Sequence, residues 1–71
     1  MSIELQLSDY QLRAVDEKRE LKTKITALTN FIVQSPLYDA LPLRDKNLLS
    51  RQLEHMESYY SILCTRVGNW L

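Results

Sequence analysis

The 71-residue chain is poor in the residues that turn, crosslink and ligate: it has one Gly, two Pro, one Cys and one His. So little turn chemistry excludes an all-β fold, whose corners need Gly, Pro, Asn or Asp at short intervals. A lone cysteine makes an internal disulfide impossible, and one Cys with one His cannot assemble a Cys/His metal cluster. An excess of either charge is missing too, because nine basic side chains meet nine acidic ones. Duplex-binding modules of this size carry a basic excess, so neither DNA nor RNA duplex is an expected partner. No run approaches the ~20 apolar residues of a membrane span. The opening "MSIELQLSDY" holds Glu4 and Asp9 and no long apolar core, so no signal peptide is expected. A cytoplasmic protein with no membrane partner is the expectation.

Catalytic patterns are equally scarce. There is no Gly-rich phosphate loop, no nucleophile elbow and no paired histidine. Cys64 and His55 are nine residues apart, two and a half helical turns, which puts them on opposite faces. Glu54 and Glu57 lie three apart in a polar stretch, where solvation is commoner than acid–base work. The chain is expected to be no enzyme and to hold no cofactor or metal.

What is present is helical periodicity. Hydrophobic residues make up 45% and charged residues 25% of the chain, the balance of one folded domain. "SIELQLSD" alternates Ile3, Leu5 and Leu7 with polar residues, giving an arm over 1–8 that reads as a short strand or a docked segment. Ser8 is an N-cap candidate, with Gln11 at capping-box spacing and Asp9 in the first turn. From Asp9 to Gln34 there is no Gly or Pro, and Leu21, Ile25, Leu28 and Ile32 form an apolar stripe, so helix 1 is expected over 9–34. Ser35-Pro36 ends it.

The connector, 35–42, contains Leu37, Tyr38 and Leu41, and with Leu43 just beyond it should fold down onto the hairpin's end. Ser35 can cap a short turn with Pro36 in first position, and Pro42 can open the next helix. Helix 2 is expected over 43–68, its seam running through Leu49, Leu53, Met56, Tyr60, Leu63, Val67 and Trp70, with Gly68 and Asn69 as the stop and 69–71 as a tail. Two matched helices with a short connection give an all-α, antiparallel two-helix hairpin. One stripe per helix is too little apolar area to offset the ordering of the chain. A homo-oligomeric helical bundle, dimer or tetramer, is therefore expected.

Two groups of residues stand off this seam. One position before each seam residue of helix 2 comes a second line, Leu48, Gln52, His55, Tyr59, Ile62 and Arg66, rotated by about 100°. It reads either as a rim or homodimer contact, or as one wall of a ligand pocket. In the pocket reading Tyr59 offers a stacking face and Arg66 a fork for phosphate. Carried backwards, the helix 1 stripe meets Lys18 and then Ala14, a cation beside a gap. Lys24, Ala27 and Phe31 repeat that arrangement on the flank. Lys18 can snorkel from the seam or serve an anion pocket. Between residues 13 and 24 five basic residues face three acidic ones. Pairing within Arg13–Glu17 and Glu20–Lys24 roughly cancels the repulsions at the same spacing, leaving a mostly solvated face.

"VDEKRELKTKITALTNFI" (Val15 to Ile32) and "LLSRQLEHMESYYSILCTRV" (Leu48 to Val67) resemble a group of small tailed-phage helical proteins. The shared positions are Glu17, Lys18, Glu20, Leu21 and Lys24, then Gln52, Leu53, Met56, Tyr59, Ile62, Leu63, Arg66 and Val67. The resemblance implies a phage protein acting in the host cytoplasm against host defence. Proteins similar to it are sponges that hold cyclic oligonucleotide signals such as cyclic GMP-AMP, uncleaved, and keep the effectors of CBASS switched off. A cyclic dinucleotide has two phosphates and two flat bases, so it needs cations, donors and stacking faces. Lys18, Lys24, Tyr59, Arg66, Gln52 and His55 are the candidate ligand contacts, supplied in symmetric copies by an oligomer. The "YY" doubling and the "GNWL" tail fall outside the resemblance. Two other classes stay open: a protein-binding inhibitor of a host defence system, anti-CRISPR-like, and a structural or regulatory phage helical protein.

Overall fold

The computed structural model describes residues 7–70. The expected arm over 1–8 falls mostly outside the described residues, as does Leu71 at the end of the expected tail. Three helices follow in order: α1 (Asp9–Gln34), α2 (Pro36–Asp39) and α3 (Leu43–Trp70). The long helices α1 and α3 pack against each other, antiparallel across the connector, and no strand occurs among the described residues.

Local chemistry explains the boundaries. At the start of α1 the Gln11 Oε1 accepts from the Ser8 backbone N–H at 2.9 Å and from the Ser8 hydroxyl at 3.1 Å. These bonds give partners to donors that a bare helix end would leave to water. Ser35 is extended and closes α1 with its own N–H on the Phe31 carbonyl. Its hydroxyl then accepts from Leu37 N–H at 3.2 Å, so one residue ends one helix and caps the next. Pro36 sits in first position of α2, where a missing N–H costs nothing. Pro42 lends its carbonyl to Lys46 N–H at 3.1 Å and so opens α3.

The end of α3 departs from the sequence reading. Gly68 does not stop the helix; α3 runs on to Trp70, and Gly68 keeps a negative φ. The seam is the reason, because its next position is Trp70, whose ring meets Tyr10 of α1 edge-on at 5.7 Å. A tertiary contact outweighs the modest cost of Gly in a helix.

The core is a single seam. Ala14, Val15, Leu21 and Ile25 of α1 are buried against Leu63 and Val67 of α3, and Leu63 alone is completely covered, at 0% exposure. Leu53, Met56 and Tyr60 pack around Leu21, Ile25 and Leu63. The connector folds down only in part. Tyr38 reaches Phe31, edge-on at 6.1 Å, and Lys46 lies over its ring at 5.6 Å. Leu37 and Leu43, expected to be covered, stay 70% and 72% exposed. The single turn α2 can turn only one of its sides inward, and Tyr38 takes that side in place of Leu37. The whole molecule measures 50 × 18 × 15 Å, two helices thick, so each helix meets solvent on most of its circumference.

Candidate functional site

The exposed faces beside the seam carry the residues singled out for chemistry. In a right-handed helix the residue one position before a seam residue is turned about 100° to one side of it. Because α1 and α3 run in opposite directions, that rotation carries the flanking lines of both helices to the same side of the hairpin. One face therefore collects Leu48, Gln52, His55, Tyr59, Ile62 and Arg66 from α3. From α1 it collects Arg13, Glu17, Glu20, Lys24, Ala27 and Phe31. The α3 line is exposed along its length, with Leu48 at 51%, Tyr59 at 43% and Ile62 at 59%.

Two ring contacts set the register of the two helices. Tyr10 meets Trp70 at the open end, and Lys22 Nζ lies 5.4 Å from the Tyr60 ring centre midway. Glu17 then stands level with Arg66, Lys24 with Tyr59, Ala27 with His55 and Phe31 with Gln52, to within about 3 Å along the axis. Five of the six candidate contacts, Lys24, Gln52, His55, Tyr59 and Arg66, thus share one exposed face. Lys18 does not join them, since it occupies the seam between Ala14 and Leu21 and is half-buried there.

The electrostatics of the face are uneven. Arg66 holds its guanidinium 5.5 Å from the Trp70 ring on its own helix, a cation–π contact. Glu17 is beside it in height and Glu20 a turn further along α1. Lys24 makes no ion pair among the described residues, and at its height the neighbours are the Tyr59 ring and the small Ala27. Neither the expected Arg13–Glu17 nor the Glu20–Lys24 pair closes. Asp16 and Arg19 come within 3.8 Å instead, both well exposed. Exposed pairs of this kind are worth little, so solvation decides between them.

The opposite flank is different. A shallow groove of about 510 Å³ is lined by Ser50, Leu53, Glu54, Glu57, Ser58 and Ser61. It contains none of the candidate contacts, and its two carboxylates repel a phosphate. Ser58 spends its hydroxyl proton on the Glu54 carbonyl at 3.1 Å. A smaller hollow of about 350 Å³ lies at the open end among Asp9, Leu12, Arg13 and Asp16. Neither is built to hold an anion. Among the described residues no cluster of His, Cys, Asp and Glu could hold a metal ion, and no helix is long and apolar enough to cross a membrane.

Next to that groove Tyr60 is half-buried against Cys64. The Cys64 hydrogen bond raises the Tyr60 pKa above its ordinary value of 10.0, with burial and the Cys64 charge adding in the same direction. Tyr60 and Tyr59 therefore do different work, the first packed and the second open to solvent.

One further residue of the face was not singled out from the sequence. Tyr10 continues the α1 flanking line one step before Arg13, and the same spacing of three and four residues would have found it. A family model described as Sequestin matches residues 8–69. The chain belongs to the Sequestin family. No curated protein and no solved structure matches it. The part matched by the Sequestin model takes in α1, the connector, α3 up to its last residue but one and every candidate contact, and begins at the Ser8 cap.

Proposed function

We propose that this Sequestin-family chain binds cyclic oligonucleotide signals, cyclic GMP-AMP among them, and sequesters them without cleavage, as a phage counter-defence protein in the host cytoplasm. The observation that carries the reading is the shared face. Lys24 offers an unpaired cation, Tyr59 a stacking surface with a hydroxyl, and His55 and Gln52 hydrogen-bonding groups, all exposed and within about two turns of one another. A ligand with anionic phosphates and flat bases asks for that combination. The family's name speaks of sequestration, which agrees with binding that has no chemical step. Lys18, held in the seam, contributes at most its snorkelled ammonium.

The test is a thermal-shift panel of cyclic di- and trinucleotides. At least one should raise the melting temperature, because a ligand that binds only the folded chain stabilises it by mass action. Tyr59→Ala and Lys24→Gln should remove the shift. A flat response to the whole panel, together with co-purification of a host protein on the face of Leu48, Tyr59 and Ile62, would favour the protein-binding inhibitor instead.

A further inference from the structure

The chain has one histidine, and an imidazole is the one side chain whose ordinary titration falls between about pH 5 and 8. His55 stands in the α3 line of the shared face, exposed and level with Ala27, with Gln52 and Tyr59 one turn to either side. Among the described residues it makes no hydrogen bond and no ion pair. The charges around it come from two helices. Between Thr23 and Phe31 of α1, Lys24 is the only charged side chain. On α3, Arg51 lies one turn toward the connector, and both Arg51 and Lys24 are exposed. Glu54 and Glu57 line the groove on the opposite flank instead. Glu20, the nearest carboxylate of the α1 line, is two turns from the level of His55, roughly 10 Å along the axis.

We infer that His55 is a proton-linked anion contact: the face takes up a proton at this imidazole when it binds a phosphodiester ligand, and holds that ligand more tightly as the pH falls. With the proposed function, on which this step rests, the ligand is a cyclic oligonucleotide. A neutral imidazole offers one donor and one acceptor, whereas an imidazolium offers two donors and a charge. Phosphate oxygens only accept, so they select the second form. The protein itself gives an imidazolium no counter-charge on this face, where Lys24 and Arg51 are the charged neighbours. An anion lying against Lys24 supplies one. Phosphodiesters stay ionised throughout this range, so the proton taken up belongs to the protein. Linkage then fixes the sign. The ligand favours the protonated form, so the added affinity is complete on the acid side and is lost as the pH rises through the imidazole range. A carboxylate beside His55 would have charged it before the ligand arrived and erased the dependence.

Equilibrium dialysis of cyclic GMP-AMP against the full chain, at fixed ionic strength from about pH 5.5 to about pH 8, reads the linkage. Wild-type affinity should fall at least about fivefold across that range, the effect of one charge at contact distance in water. His55→Gln should flatten the profile. His55→Lys, charged throughout, should bind at the alkaline end at least about fivefold tighter than His55→Gln. Calorimetry at about pH 6.5 in two buffers of different ionisation heat should show net proton uptake by the wild type and none by His55→Gln. All three chains should give the same helical circular dichroism, since His55 is exposed. A flat wild-type profile, or a slope that His55→Gln leaves as it was, overturns the proton linkage and leaves the proposed function standing. No binding by the folded chain at any pH overturns both.

Discussion

Single residues of this hairpin carry distinguishable loads. Leu63 is the best covered side chain, and Leu63→Ala should cost about 2–5 kcal/mol. For a one-seam molecule that is enough to abolish a cooperative melting transition, readable by circular dichroism. Lys18 is the opposite case, a cation in a seam position between Ala14 and Leu21. If its role is only to fill that position with its stem, Lys18→Met should raise the unfolding free energy by about 1 kcal/mol in urea melts. It should also leave ligand binding intact. Loss of binding would return Lys18 to the ligand site.

Tyr60 supplies a pH test. Its folded pKa lies above the ordinary 10.0 because of Cys64, so the folded chain holds the phenol proton more tightly than the unfolded one. That stability is fully present below the ordinary value and is lost as the pH rises through the folded pKa. Cys64→Ala should therefore move the Tyr60 phenolate transition, followed by its ultraviolet absorbance, back down toward the ordinary value. No movement would mean that burial alone sets it.

At the scale of elements, α1 was legible to the residue, because a Ser8–Gln11 cap, an uninterrupted stripe and Ser35-Pro36 all point the same way. The connector's short helix was legible in Ser35 and Pro36 as well. The end of α3 was not. Gly68 reads as a stop by composition, yet the contact that keeps the helix going comes from Tyr10, some sixty residues away. Local sequence carries no record of such a pairing. Leu37 misled for a related reason: apolar character does not say which side of a single turn faces inward. Of the site, the spacing identified the α3 line, but only the antiparallel packing shows that Lys24 shares its face and Lys18 does not.

The extension of α3 has a direct consequence. Gly68 is helical, and a Cβ built there meets nothing within 4 Å. Gly68→Ala should then stabilise the hairpin by about 0.5–1 kcal/mol, seen as a higher melting temperature. A lower one would show that Gly68 serves a contact outside the single hairpin. Trp70→Ala should lower it by removing the edge-on contact with Tyr10.

For the whole molecule, the governing fact is that a 50 Å hairpin with one buried seam exposes a second face with its own repeat. Such a face calls for a partner, and its mixture of a free cation, an open aromatic ring and hydrogen-bonding groups suits an anionic, base-bearing one. Sequestration without chemistry is what this face is proposed to do. Its most direct test mixes cyclic GMP-AMP with excess chain and counts the free nucleotide that passes a filter retaining the protein. The retained fraction is then heat-denatured and what it releases is analysed by chromatography. The filtrate should be depleted and the released nucleotide intact and cyclic. A filtrate at full concentration, or release of a linear product, would contradict it.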